Sequence, residues 1–405
     1  MTSDRAVRFL DRNTPPHIVT LVLMAGLGAM NMSAFLPALP QMTTFFGTEY
    51  AIMQLSVSLY LAAIAVLQLL IGQLSDRFGR RPVVLWCLVI YMVATLGCIL
   101  APNVELFLAF RIGQSAVAAG LVLSRAIVRD LVDEAHSASM IGYVTMGMAL
   151  VPMIAPMIGG ALSASIGWQA VFWFLLAGGV LVWAVCFYDQ GETALGEGRR
   201  FRDQVREYPE LLQSVRFWGY VFTAAFTSGA FFAFLGGAPL VASDVYGLSS
   251  FWAGVGFGAP AIGYAIGNGI SGKYSVQVGI NRMIIVGATL TVIGLTLAAL
   301  LVLAGFDSAI LFFGFCTFVG LGNGMVIPNA NAGMLSVRPH LAGTASGLGG
   351  TFMLGGGAAL SVFASVVLAW GTTSLPLLAL MASVSALGLA SIVGVLERER
   401  RLKLT

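Results

Sequence analysis

The sequence predicts an all-α integral membrane protein, with twelve transmembrane helices in two pseudo-symmetric six-helix bundles. Three observations carry that prediction. Apolar residues make up 58% of the chain and charged residues 10%, with a mean hydropathy of +0.90, which is outside the composition of soluble domains. Nearly charge-free stretches of about 20 residues recur, each long enough to cross roughly 30 Å of hydrocarbon. The basic residues fall in alternate gaps between those stretches.

The spans read near residues 17–40, 50–72, 82–101, 106–128, 138–164 and 168–188, then 217–241, 249–271, 282–304, 308–335, 342–369 and 373–396. The first apolar run is too long for a signal peptide, and its pattern repeats along the chain. Numbering the gaps alternately places every Lys and Arg except Arg111 at or near one side. The positive-inside rule makes that side the cytoplasm and puts both termini there. The opposite gaps carry only Glu49, Glu105, Asp244 and Asp307, and no acid remains for the middle of any span. A miscounted helix would have scattered the bases.

Residues 189–216 form the only sizeable polar segment. It reads as a solvated cytoplasmic linker between an N-terminal bundle (1–188) and a C-terminal bundle (217–405), the layout of transporters built from parallel repeats. Glycines at small-xxx-small spacing, Gly254/Gly258, Gly263/Gly267 and Gly343/Gly347, suit close helix packing in lipid.

Taken in order, the first span offers Asn31 and Ser33 below the surface opposite the bases. The second runs into Gly72-Gln73-Leu74-Ser75-Asp76-Arg77-Phe78-Gly79-Arg80-Arg81-Pro82, four charges in a short loop whose glycines permit close approach and φ > 0. A degraded echo, Gly272-Lys273 with Gly279 and Arg282, follows the eighth span. The fourth span holds Arg111 about six positions in, where a charge is costly. Gln114 follows one turn later on the same face, and both are expected to face a central cavity. In the fifth span, Pro152 and Pro156, followed by Gly159 and Gly160, interrupt helical bonding and predict a kink.

The seventh span is aromatic (Phe222, Phe226, Phe231, Phe232, Phe234). With Met24, Met30, Met32 and Met353 it supplies material for an adaptable apolar pocket. Asn323 lies nearest the middle of the tenth span. It and the neighbouring Asn329 and Asn331 can serve a substrate or simply bond between helices.

Several chemistries lack material. Lys273 and Lys403 are the two lysines, and neither follows a phosphate-binding glycine frame. His17, His136 and His340 sit at span edges, and Cys87, Cys98, Cys186 and Cys316 lie inside apolar spans without ligand spacing. No metal, no cofactor, no nucleic-acid partner and no enzymatic activity are therefore expected.

The spacing from Gly72 resembles the loop between the second and third helices of major facilitator superfamily transporters. Gln54-Leu55-Ser56-Val57-Ser58-Leu59-Tyr60, Gln68, Leu123 to Asp130, Gly167 to Phe172, Pro328-Asn329-Ala330 and Ala342 to Gly347 follow in family order. Together they resemble the Bcr/CflA branch of the drug:proton antiporters. The segment Gly142 to Gly160 resembles that group's antiporter motif, with Val151 and Ala155 where glycines are usual. The resemblance implies alternating access of two bundles about a central cavity. It implies a cytoplasmic switch made by Gly72, Asp76, Arg77, Gly79, Arg80, Arg81, Arg129 and Asp130, with Asp76 docking near Ala342 and Gly343.

It also implies a coupling or substrate role for Arg111. The relatives' first-span aspartate is replaced here by Ser33, so the customary proton-binding acid is missing. The expected function is export of small, partly apolar compounds by a monomer in the bacterial inner membrane, with protons as coupling ion. Two alternatives stay open: a dedicated exporter or facilitator of one neutral or anionic metabolite, and a non-transporting sensor or scaffold.

Overall fold

The computed structural model describes residues 8–131, 151, 154–193, 209, 211–338, 341–368 and 372–401, apart from the side chains of Arg125, Arg129, Leu131 and Ala342 to Thr344. The fold is twelve helices in two halves. The first half comprises α1 (Ile18–Phe46), α2 (Tyr50–Phe78), α3 (Arg80–Leu100), α4 (Val104–Val128), α5 (Ile154–Ser165) and α6 (Trp168–Asp189). The second comprises α7 (Val215–Val245), α8 (Ser250–Val278), α9 (Ile280–Leu303), α10 (Ala309–Ser336), α11 (Ala342–Leu368) and α12 (Leu375–Arg401). Ten of them are long and apolar enough to cross a membrane. The other two are glycine-rich α8 and the described part of the fifth span. Pro152 and the motif residues 142–150 lie outside the described residues.

Three helices are locally broken, two of them beside prolines that remove backbone donors. α1 stops being helical at Ser33 and resumes through a 3-10 turn at Leu36–Ala38, with Pro37 and Pro40 unable to donate. α4 carries a 3-10 turn, Gln114–Val117, immediately after the turn that holds Arg111. α7 contains Pro239 and finishes in a π turn, Val241–Val245.

The expected loop at Gly72 to Pro82 is instead two helix ends joined by one residue. α2 runs on to Phe78 and α3 begins at Arg80. Gly79 makes the reversal alone, at φ 96° and ψ 150°, a conformation that L side chains rarely adopt. Its N–H donates to the Ser75 carbonyl at 2.9 Å. Gly279 repeats this turn at φ 91° and ψ 145°, donating to Ser275 at 2.9 Å. The backbone of the echo is therefore intact, although Val276, Gln277, Ile280 and Asn281 stand where the first half has Asp76, Arg77, Arg80 and Arg81. Gly72 plays no comparable part, since a side chain there would meet open space.

A buried carboxylate closes the basic end of each half. Asp189 accepts from Leu10 N (2.7 Å), His17 N (2.8 Å) and Thr20 Oγ1 (2.6 Å), which fixes the start of α1 on the end of α6. Glu399, in α12, accepts from Arg216 Nη2 (2.7 Å), Tyr220 OH (3.2 Å) and Asn281 Nδ2 (2.8 Å), tying α12 to α7 and α9. At the opposite end Asp307 accepts from Tyr246 OH (2.5 Å) and Ser374 Oγ (2.7 Å).

The halves meet along α2 against α11 and through glycine contacts of α5 with α8. A Cβ on Gly160 would strike the Ser250 carbonyl, and one on Gly254 the Pro156 carbonyl. Toward the end opposite the bases, one apolar core runs through both halves, from Phe35, Phe107 and Phe172 to Phe234, Phe257 and Phe312. At the basic end each half has its own core, one around Leu88 and Leu123, the other around Phe217 and Ile284.

Within the second half, Gly320 lies so close to α8 that a Cβ would overlap the Pro260 carbonyl. Backbone cannot rotate away as a side chain does. Gly320→Ala should therefore destabilise the protein by roughly 1–3 kcal/mol, read as a lower melting temperature of the purified protein. Gly314→Ala, with no neighbour within reach, should melt unchanged.

Candidate functional site

Arg111 is fully buried inside the first half, at 0% exposure. Its Nε donates to Ser56 O at 3.1 Å, Nη1 to Asn31 Oδ1 at 3.2 Å and Gln114 Oε1 at 2.5 Å, and Nη2 to Asn31 O at 2.9 Å. Helix α1 stops two residues after Asn31, which leaves that carbonyl without a helical partner. The guanidinium carbon lies 4.1 Å from the Phe35 ring centre and 4.3 Å from that of Tyr60, an arrangement in which both ring faces attract the cation. The chain of bonds continues outward. Gln114 Nε2 donates to Thr95 Oγ1 (2.8 Å), Thr95 Oγ1 to Tyr91 O (2.7 Å), and Tyr91 OH to Leu175 O (3.2 Å).

The expectation that Arg111 faces a central cavity is thus corrected. The break in α1 and the 3-10 turn in α4 turn the guanidinium into the first bundle, where it gathers α1, α2 and α4, while Gln114 extends the network to α3 and α6. Its partners are neutral oxygens and rings throughout. The pairing of Arg111 with Gln114 and Asn31 was legible from their depth and spacing. The contributions of Ser56 and Tyr60 were not, because only tertiary packing brings α2 to that face.

The charged turn forms a second cluster at the basic end. Arg80 pairs with Asp76 and donates from Nε to Asp130 Oδ2 at 3.0 Å and from Nη1 to Ser75 Oγ at 2.5 Å. Arg81 donates to Phe187 O at 3.0 Å and lies over that residue's ring. Arg77 lies over Phe78. Arg129 belongs to the same helix as Asp130, but its side chain lies outside the described residues, as do the side chains of Ala342 and Gly343, where Asp76 was expected to dock. A partner missing from the sequence reading is Glu192, whose carboxylate accepts from Arg80 N (2.8 Å) and Arg81 N (3.3 Å). Two bases in the first turn of α3 oppose the helix dipole, and this carboxylate offsets them. It arrives from more than a hundred residues away, so no local spacing announces it.

Between the halves lies a cavity of about 290 Å³. The first half contributes Ser33, Leu36 and Pro156. The second contributes Ser228, Phe231, Phe232, Phe257, Tyr264, Asn323 and Met353. Among the described residues, none of the Asp, Glu, Lys, Arg or His kind lines it. Phe231, Ser33 and Asn323 therefore fall where a pocket was expected. Phe226 does not: it stacks on Phe222, away from the lining. Gly159 and Gly160 serve close approach, to Ala34 and Ser250 respectively. Among the described residues no cluster of His, Cys, Asp and Glu could hold a metal ion, and the cysteines are unpaired.

The arrangement matches known proteins. The sequence profile described as Major Facilitator Superfamily matches residues 21–362. A chloramphenicol resistance protein of Pseudomonas aeruginosa is 31% identical over 82% of this chain and 78% of its own length. A bicyclomycin resistance protein homolog of Haemophilus influenzae is 28% identical over 86% of this chain and 88% of its own. Among solved structures, a D-xylose-proton symporter superposes with a TM-score of 0.72 at 14% identity, over 93% of this chain and 96% of that one; this likeness concerns the fold alone. With the family profile spanning most of a twelve-helix membrane chain, and relatives named for resistance to two antibiotics, the protein belongs to the major facilitator superfamily.

Proposed function

We propose that this protein exports small, largely apolar compounds, including antibiotic-like solutes, by alternating access of its two halves. The observation that carries the reading is the uncharged, aromatic-walled cavity between the halves, a site suited to a compact apolar ligand. Resistance functions named for the relatives support it. The protein lies in the bacterial inner membrane, and the bases gathered at one end support a cytoplasmic position for that end and for both termini. The protein acts as a monomer.

In this reading the described state is closed away from the cytoplasm. The shared core supports that assignment. So do two bonds between halves, Tyr50 OH to Gly236 O at 3.0 Å and Gln54 Nε2 to Ser361 Oγ at 2.6 Å. The Asp76–Arg80–Asp130 cluster is the cytoplasmic switch. Arg111 holds α1, α2 and α4 as one body, so that the first half rocks without losing its shape. It acts as a positioning residue and does not touch substrate.

Protons are the coupling ion of the leading reading, with Asp76 and Asp130 as the available carboxylates at the switch. A second reading, a facilitator of one neutral compound, is favoured by a specific observation. Ser33 lines the cavity at the place of the relatives' acid, and its hydroxyl is spent on Ala29 O at 3.0 Å. An anionic substrate loses its support, because Arg111 is absent from the lining.

Three outcomes check these assignments. Arg111→Lys keeps the charge but loses the fork, so melting temperature and transport rate should fall, the rate at least about tenfold, while solute affinity of the folded protein stays within about threefold. Weaker binding with unchanged melting would instead put Arg111 in contact with substrate. Gly254→Val should keep the halves apart opposite the bases and slow transport at least about tenfold with intact membrane insertion. In proteoliposomes, a solute gradient should alkalinise or acidify the lumen if protons are exchanged; solute flux without any pH change selects the facilitator.

A further inference from the structure

The cavity holds one polar group that the fold has not satisfied. Asn323, in the middle of α10, lines the cavity at 4% exposure, and its Oδ1 has no hydrogen-bond partner. A buried amide oxygen without a partner is costly, and a suitable ligand relieves that cost. The same helix shows that a structural amide here can be satisfied. Asn329, six residues on, donates to Ser271 Oγ at 2.8 Å and to Met325 O at 2.7 Å. The two serine hydroxyls of the lining do not answer Asn323, because each spends its proton on its own helix, Ser33 on Ala29 O (3.0 Å) and Ser228 on Ala224 O (2.8 Å). Their oxygens keep only acceptor capacity.

Among the described residues, the cavity wall thus presents serine and amide oxygens, rings and no charge. Phe231, Phe232 and Phe257 supply aromatic surface, and the volume of about 290 Å³ sits at the small end of ligand sites, which run from about 300 to 1,000 Å³. Among the described residues, a cation would find no carboxylate there and an anion no base. A ligand with a single N–H or O–H would find Asn323 unpartnered.

Building on the export reading, we propose that the Asn323 carboxamide selects the solute. The ligand class is an uncharged aryl compound carrying one hydrogen-bond donor of the amide or hydroxyl kind, with the donor on Asn323 and the ring among the phenylalanines.

Three probes of one shape test this on the purified full-length protein in lipid nanodiscs: biphenyl-4-carboxamide, its N,N-dimethyl derivative, which has no donor, and biphenyl-4-carboxylate. Wild type should bind the primary amide about tenfold tighter than the dimethyl amide and the carboxylate weakest. Asn323→Leu should erase the difference between the two amides, hold the dimethyl amide within about threefold, and melt no lower than wild type, since it removes a group without a partner. If the leucine variant does not fold, Asn323→Asp, which keeps an acceptor at the same place, should retain the preference for the donor.

Equal affinities for the two amides in wild type, a preference that survives Asn323→Leu, strongest binding of the carboxylate, or no binding of any probe would each overturn the assignment. Efflux of chloramphenicol from proteoliposomes, followed on the same preparation, separates the two failures. If efflux persists while the amide preference is absent, Asn323 is not the selector and the export reading stands.

Discussion

Arg111 sits where neither water nor a carboxylate meets it, and the first six helices are shaped by that constraint. A guanidinium in a low-dielectric interior has to be surrounded by acceptors or it is expelled. Here the acceptors are a side-chain oxygen and a main-chain oxygen of Asn31, the Ser56 carbonyl and Gln114, with Phe35 and Tyr60 above and below. The break in α1 serves this purpose, because a helix that continued past Ser33 would reclaim the Asn31 carbonyl. The 3-10 turn at Gln114–Val117 follows directly after Arg111 and carries the network on to α3 and α6. One side chain thus explains two irregular helices.

Polarity is distributed differently in the two halves. The first half spends its charges on the turn at Gly79, where Arg80 is shared between Asp76 and Asp130 and Glu192 covers the start of α3. The second half keeps the same turn at Gly279 but places Val276, 94% exposed, where the first half has Asp76. The same backbone turn with unequal charge gives the first half a charged cluster that the second half lacks. What both halves retain is the buried carboxylate at the end of the last helix, Asp189 and Glu399. Each binds the opening helix of its own half and so ties the first and last helices of that half together.

The cavity follows from the same division. Charges are confined to the bundle interior or to the membrane edge, which leaves the surface between halves to phenylalanines, small residues and a few hydroxyls. Close glycine contacts at Gly160 and Gly254 let α5 and α8 meet backbone to backbone beyond it. Such smooth faces can part and close without breaking many specific bonds.

Twelve helices and the depth of each polar residue could be read from hydrophobic runs and the placement of bases, because lipid imposes a length and charge rule on every span. The turn at Gly79 was visible too, although its reach as a loop was overestimated: helical bonding continues through charged residues when their partners lie in other helices. The direction in which a side chain points was hidden. Arg111 and Asn323 look alike in sequence, each a polar residue inside an apolar span. Rotation and local breakage of α4 and α1 bury the first among partners, while packing of α10 on α8 leaves the second unpartnered at the cavity. Sequence alone determined how deep each group lies in the membrane. Only tertiary structure decided which face of its helix meets protein and which meets the cavity, since that depends on contacts between residues far apart in the chain.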